Sequence, residues 1–211
     1  MPSDIEICNI ALSYVGKDEI RTFAKSNKAE RVCERAYNHC LRRLLSGRYS
    51  WSFAREVASL RVTVGKDVNS YGTPYDKPID CLVPRDILPE GTKQSWELIG
   101  DSIYTRVYSP QLLYTKKIER TSLMPEYFIS ALTMLIASMI TPSMKGGTKI
   151  EGITEKRALA EVLEAMDADA SIGTIYKRND NDPNQDSFVN PDAAMSDYIA
   201  PTSETSDWWE L

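Results

Sequence analysis

The period of the hydrophobic pattern changes twice along this chain, and the change limits the folds open to it. Up to Ser46 the apolar residues recur every three or four positions, which predicts helices. From Ala58 to Val64 they alternate with polar residues, as in a half-buried strand. A helical period returns at Pro125. This order favours an α+β fold in which a small antiparallel β domain is inserted between the second and third helices.

Two helices are predicted before the β region. In the first, Ser3 and Glu6 have the spacing of a capping box, and Gly16 ends the helix. The second runs from about Asn27 to Ser46, with apolar residues along one face. Its other face is basic, because it carries four arginines: Arg31, Arg35, Arg42 and Arg43.

The four arginines have two interpretations. A row of guanidinium groups can follow a phosphate backbone, but such a face is more often solvated or paired with acids of a neighbouring subunit. The whole chain has a formal net charge of −5, which argues against attachment to nucleic acid by a general positive charge. We therefore interpret the arginines as a charged face or subunit interface, with a DNA-binding accessory protein as an alternative.

The β domain is predicted to occupy residues 57–121. Its strands and turns are bounded by glycine and proline, which end strands or open hairpins. The expected elements are a strand from Ala58 to Val64, a loop from Gly65 to Pro78, a short strand from Ile79 to Val83 stopped by Pro84, a hairpin from Trp96 to Thr105 with Gly100 and Asp101 at its tip, and a strand from Leu112 to Ile118.

Two further helices complete the helical part. The third, from Pro125 to about Thr141, is apolar nearly all the way round, which is typical of a helix at the centre of a bundle or under a neighbouring subunit. The fourth starts at Thr148, with Glu151 in capping-box spacing, and is closed by Gly173. Residues 1–56 and 122–175 are thus predicted to form a four-helix bundle.

The C-terminal tail, residues 176–211, is predicted to be an extended acidic strap. From Asn179 onward it has eight acidic residues and no Lys or Arg, so 25 basic and 22 acidic residues precede it. Such a segment does not fold by itself. It nevertheless carries aromatic side chains, which contribute large contact areas when buried. The candidate partner-docking residues are Phe188, Tyr198, Trp208 and Trp209; the alternative is a tail tied back onto its own body.

No motif for catalysis is found. The chain has no phosphate-binding Gly-rich loop, dinucleotide fingerprint or nucleophile elbow. His39, the single histidine, is predicted to be structural among apolar neighbours. The four cysteines, Cys8, Cys33, Cys40 and Cys81, form no Cys-x-x-Cys pair and are expected to be reduced and buried. We predict no enzyme activity, no cofactor and no metal site; an enzyme with an unrecognised carboxylate site is the remaining alternative.

The start of the chain has no signal-peptide pattern, and the uncharged run from Tyr127 to Met144 is too short and too rich in hydroxyls for a convincing membrane span. No membrane partner is therefore expected.

Five motifs in order resemble the podovirus head-to-tail adaptor family, also called tail tubular protein A. They are Ile5 to Gly16; Ala29 to Tyr37 with Leu41 to Leu45 and Tyr49-Ser-Trp-Ser-Phe-Ala54; Pro78-Ile-Asp-Cys-Leu82; the hairpin from Trp96 to Thr105; and the helix pair from Tyr127 to Ala170. The acidic tail is not part of this resemblance.

The resemblance implies a structural virion protein of the neck or tail, assembled in the host cytoplasm. Its copies would form a ring that joins the portal protein to the tail nozzle protein. The ring would be a dodecamer, because it would share the twelvefold symmetry of the portal. Genomic DNA would pass through the lumen without specific binding, and a tail fibre or spike is a further candidate partner. Another neck connector, such as a stopper or head-completion protein, is the first alternative.

Overall fold

The computed structural model describes residues 2–24, 27–88, 96–144 and 148–172. It is a mixed structure of helices and antiparallel sheets, compatible with the predicted α+β class. The described residues divide into two compact units, one within residues 1–49 and 124–172, the other within residues 50–123. We call them the helical unit and the β unit. The limits predicted for the β domain, 57–121, lie inside the second.

The helical unit contains four α-helices among its described residues: α1 Asp4–Tyr14, α2 Lys28–Ser46, α3 Glu126–Ile140 and α4 Thr148–Ser171. The predicted capping box of α1 is confirmed, because the Glu6 amide donates to Ser3 Oγ and the Ser3 amide donates to a Glu6 carboxylate oxygen. Asn27 caps α2 by accepting from the Glu30 amide. The side chains of the predicted α4 capping box, Thr148 and Glu151, are not among those described. Gly173, which was predicted to close α4, lies outside the described residues.

Helix α3 contacts α1, α2 and α4. Its buried side chains surround the helix, in agreement with the all-round apolar pattern of its sequence: Phe128, Ile129, Ala131, Leu132, Thr133, Met134, Ile136, Ala137 and Ile140. Pro125 sits one position before the helix, at its N-cap. The centre of the helical unit is therefore α3.

The β unit has two three-stranded antiparallel sheets in its described residues. The strands are β1 Arg55–Ser59, β2 Thr73–Asp76, β3 Cys81–Leu88, β4 Trp96–Ile99, β5 Ser102–Thr105 and β6 Gln111–Lys116. The first sheet has the order β1-β6-β3 and the second the order β2-β5-β4. One core joins them, formed by Leu60, Tyr75, Cys81, Ile87, Ile103, Leu112 and Tyr114.

The strand predicted from Ala58 to Val64 is wrong in its limits. Strand β1 ends at Ser59, and the chain then crosses to the second sheet, where Val62 forms an isolated bridge with Tyr75. Because the chain leaves one sheet before it meets the other, the alternating valines are not buried: Val64 is 95% exposed. The predicted loop from Gly65 to Pro78 also proves to contain a strand, β2.

The predicted stop at Pro84 is also wrong. Strand β3 runs through this proline to Leu88, and its register with β6 shifts on either side of Val83 and Pro84. An edge strand tolerates proline because the missing N–H need not pair, and a bulge absorbs the irregularity. The predicted hairpin is confirmed, with β4 and β5 joined at Gly100, whose φ is +60°.

All four cysteines are buried and unpaired, as predicted. Burial raises the pKa of Cys40 to about 12 and that of Cys81 to about 11. At neutral pH these two thiols are therefore protonated, and neither is a ready nucleophile.

Candidate functional site

The arginines predicted as a charged face lie along α2, but they are not equivalent. Arg31, Arg35 and Arg42 are exposed, whereas Arg43 is half-buried. Arg35 and Arg42 lie two turns apart on one side of the helix, as residues seven positions apart do. These two arginines line a surface cavity, which Arg31 and Arg43 do not.

This cavity, which we call the α2 cavity, is open to solvent and has a volume of about 550 Å³. Five of its lining residues belong to α2 and one, Met139, belongs to α3. The lining is Glu34, Arg35, Asn38, His39, Arg42 and Met139. The cavity therefore lies entirely within the helical unit.

The position of His39 corrects the sequence interpretation. Instead of packing among apolar neighbours, His39 is exposed and lines the α2 cavity between Arg35 and Arg42. It is placed there by the helical repeat, four residues after one arginine and three before the other. Two guanidinium groups, an imidazole and an amide thus border the same depression.

Met139 gives the α2 cavity its apolar part. This side chain is 44% exposed, and its sulfur lies 3.6 Å from the Cys40 sulfur of α2. A thioether is polarizable and adapts its shape to aromatic rings. Sequence reasoning missed this contribution, because Met139 belongs to a helix about a hundred residues away from Cys40.

The charges around the α2 cavity favour an acidic partner. The lining includes the exposed guanidinium groups of Arg35 and Arg42 and one carboxylate, that of the half-buried Glu34. Guanidinium groups pair with carboxylate and phosphate oxygens, and they stack on aromatic rings. The arrangement therefore suits the recognition of a carboxylate- or phosphate-bearing group with an aromatic neighbour.

A second polar cluster lies inside the helical unit around Asp169 of α4, which is 2% exposed. Tyr127 donates from Oη to Asp169 Oδ1 over 2.6 Å. Tyr49 Oη lies 3.0 Å from Asp169 Oδ2 and 2.9 Å from the Met166 carbonyl oxygen. The cluster joins residues from three segments of the chain, and we assign it a structural role.

Loss of a hydroxyl from the Asp169 cluster is expected to destabilise the protein measurably. Tyr127→Phe removes one hydrogen bond that the buried Asp169 carboxylate accepts, and it should lower the free energy of unfolding by about 1–3 kcal/mol. The measurement is urea denaturation followed by circular dichroism. The control is Tyr14→Phe, at a half-exposed tyrosine of α1, which should change stability by about 0.5 kcal/mol or less. Equal stabilities for the two variants would contradict the assigned role.

In the β unit, a lysine and a serine lie close together. Lys66 donates from Nζ to Ser102 Oγ over 2.7 Å, and Thr63 Oγ1 lies 3.4 Å from the same oxygen. Lysine–serine pairs serve as base and nucleophile in some hydrolases. Ser102 is 1% exposed, however, so a substrate has no access to its hydroxyl. The hydrogen bond instead holds the segment around Lys66, which follows β1, against strand β5.

The surface of the protein also carries exposed apolar side chains. Most of the exposed large apolar side chains among the described residues belong to the β unit: Val57, Val62, Val64, Val68, Tyr71, Ile79, Leu98, Ile99, Tyr108 and Leu123. In the helical unit the corresponding set is Ile10, Tyr14, Met139 and Ile172. Exposed apolar side chains are available for contact with other molecules.

The remaining predicted site residues, Phe188, Tyr198, Trp208 and Trp209, lie outside the described residues. Within the described ranges no group of three or more His, Cys, Asp or Glu side chains is arranged to hold a metal ion. No helix of that same part of the chain has the length and apolar character needed to cross a membrane.

Comparison with protein-family models finds no match, and a search of curated proteins likewise finds none.

Proposed function

We propose that this protein is a structural component of a virion, a head-to-tail adaptor whose copies form a ring between the portal protein and the tail nozzle protein. The observation that carries the proposal is the concentration of exposed apolar side chains in the β unit. A small unit that leaves so many apolar side chains in solvent is suited to binding other proteins. The order of helices and strands, together with the motifs of the resemblance, supports the same assignment.

In this proposal the helices form a four-helix bundle that contacts the portal, and the β unit contacts the nozzle. Each subunit contact is weak, but a ring repeats it around a closed axis, so the summed contacts secure the joint. We propose twelve copies, matching the portal symmetry that the resemblance implies. Such an adaptor belongs to the virion neck and needs neither a cofactor nor catalysis.

The proposed ring would surround the path of the genomic DNA. A channel wall that grips phosphates would slow a sliding duplex, since phosphate contacts dominate the affinity of proteins for DNA. The net charge of −5 is consistent with passage without specific binding.

The experiment that tests the proposed function mixes the full-length protein with purified portal and nozzle proteins. Light scattering coupled to gel filtration is expected to give a ring-sized complex with the portal, and electron microscopy of the virion neck should place this chain between portal and nozzle. A protein that stays monomeric in the presence of both partners would overturn the proposal.

Two variants test the proposal that the β unit contacts the nozzle protein. Val64 and Tyr108 are 95% and 96% exposed, so Val64→Asp with Tyr108→Asp should leave folding intact and weaken nozzle binding by at least tenfold. The control places the same charges at exposed serines of this unit, Ser70→Asp with Ser109→Asp, and should bind like the wild type. Equal binding of both variants would remove these apolar residues from the interface.

A second candidate function is favoured by the exposed arginines of α2. A DNA-binding accessory protein would use Arg31, Arg35 and Arg42 as phosphate contacts. Its signature would be DNA binding that weakens steeply as salt rises and that Arg35→Ala with Arg42→Ala reduces. Absence of DNA binding at low salt would exclude this candidate and leave the adaptor proposal unaffected.

A further inference from the structure

We propose that the α2 cavity is a docking site for the C-terminal tail of the same chain, and that residues 207–210, with the sequence Asp-Trp-Trp-Glu, are the part it holds. The inference does not depend on the proposed function, since it concerns a contact of the single chain. Its basis is a match of charge, spacing and apolar character between a described surface and a named segment of the sequence.

The first match is charge. The α2 cavity presents two exposed guanidinium groups, from Arg35 and Arg42, with Glu34 as the single carboxylate of its lining. From Asn179 to its end the chain carries eight acidic residues and no Lys or Arg. Charge-assisted hydrogen bonds between guanidinium and carboxylate groups are among the stronger polar contacts in proteins. The tail is therefore a carboxylate-rich partner that is tethered to the protein itself.

The second match is spacing. Arg35 and Arg42 are seven residues apart, a rise of about 10.5 Å along a helix. In the tail, Glu204, Asp207 and Glu210 recur at every third position. In a polyproline II conformation such residues share one face at intervals of about 9 Å, because that helix has three residues per turn. Two successive acids would thus reach the two guanidinium groups at once.

The third match is apolar. In the tail, two tryptophans, Trp208 and Trp209, lie between the acids Asp207 and Glu210. In the cavity, the apolar side chain of Met139 accompanies Arg35 and Arg42. An indole ring stacks favourably on a guanidinium plane and against a thioether sulfur. A cavity of about 550 Å³ is in the size range that accepts aromatic side chains. The acids would fix the position of the segment, and the rings would cover the exposed face of Met139.

The length of the connecting chain favours the tail of the same molecule. Thirty-four residues lie between Ile172, the last described residue, and Asp207. A flexible chain of that length has a root-mean-square extension of about 30–35 Å, and it reaches about 115 Å when fully extended. Tethering of this kind gives an effective concentration near the millimolar range. At micromolar protein, the chain's own tail therefore outcompetes the tail of a second copy.

The test measures protease access to the tail of the full-length protein. Chymotrypsin cleaves after tryptophan, and mass spectrometry follows the release of fragments cut at Trp208 and Trp209. Arg35→Ala with Arg42→Ala is expected to speed this cleavage about five- to tenfold, as the loss of two exposed charge pairs predicts. Adding 0.5 M NaCl to the wild type should do the same, because salt screens the pairs.

The matched control is Arg21→Ala with Arg157→Ala, which removes two exposed arginines of the helical unit that do not line the α2 cavity. It should be cleaved at the wild-type rate. A charge exchange then separates docking from altered folding. Arg35→Glu with Arg42→Glu should lose protection, and adding Asp207→Lys with Glu210→Lys should restore it. Equal cleavage rates in all variants, or failure of the exchange to restore protection, would overturn the proposal.

The source of the docked tail is identified by crosslinking. A photoreactive benzoylphenylalanine at position 208 of isotope-heavy protein, mixed with light protein, should yield heavy–heavy crosslinks to peptides that contain Arg35 to Arg42 or Met139. Heavy–light crosslinks would instead assign the tail to a second copy and overturn docking within one chain. Crosslinks outside α2 and α3 would overturn the site.

Discussion

Replacement of Phe128 by alanine is expected to lower the free energy of unfolding of the helical unit by about 3–5 kcal/mol. Phe128 is fully buried on α3, the helix that contacts α1, α2 and α4. Removing its ring deletes contacts on a helix that other helices surround, so the site cannot collapse fully onto the space left behind. Such a loss is a large fraction of the stability of an ordinary domain.

The measurement for Phe128→Ala is urea denaturation followed by far-ultraviolet circular dichroism, with the midpoint and slope fitted separately. The control on the same helix is Met139→Ala. This side chain is 44% exposed, so its truncation should cost about 1 kcal/mol or less. If both variants unfolded at the same urea concentration, α3 would not be the centre of the unit.

Replacement of Gly72 by alanine is expected to destabilise the β unit by about 3 kcal/mol or more. Gly72 has a φ of +124°, a backbone conformation that L side chains rarely adopt. A Cβ at this position would also overlap the carbonyl group of Thr105, which belongs to β5. Because the obstacle is backbone, relief requires movement of the strand and cannot come from a change of side-chain rotamer.

Gly65→Ala is the matched control for Gly72→Ala. Gly65 also has a positive φ, +82°, but a Cβ there would meet no atom within 4 Å. Its replacement should cost about 1–2 kcal/mol, the strain of the left-handed region alone. Thermal unfolding monitored by the near-ultraviolet signal of the buried Trp51 compares the two variants. Equal losses would show that the close approach to Thr105 contributes nothing.

The helices could be predicted because their limits depend on residues near in sequence. Ser3 with Glu6 begins α1, and Asn27 begins α2, through hydrogen bonds that span three residues. Gly100 likewise fixes a hairpin between strands that follow one another directly. Element limits that depend on such short-range hydrogen bonds can be predicted without knowledge of the fold.

The strand limits could not be predicted, because they depend on distant partners. Strand β1 pairs with β6, more than fifty residues further along, and stops where that pairing stops. The apolar alternation continues to Val64 although no sheet covers it. Pro84 could join a strand only because β3 lies at a sheet edge, and the sequence does not show which strand is an edge.

In the candidate site, too, the features set by residues near in sequence could be predicted, and those set by distant residues could not. Exposure of Arg35 and Arg42 follows from the helical repeat, but the cavity between them needs Met139 from another helix. The Asp169 cluster was not predicted at all, since Tyr49 is 120 positions away from its partner. Contacts over such separations follow from the packing of helices, which periodicity alone does not specify.

The edges of the first sheet limit how copies of this protein can join. On β3, Pro84 has no N–H to offer and two shifts interrupt the ladder, so a further strand would pair poorly there. A strand added from another copy would meet β1 instead. Pairing of β1 with β1 relates two copies by a twofold axis and closes after two. Among the described residues, a larger cyclic assembly must therefore use surfaces other than a β1–β1 pair of the first sheet.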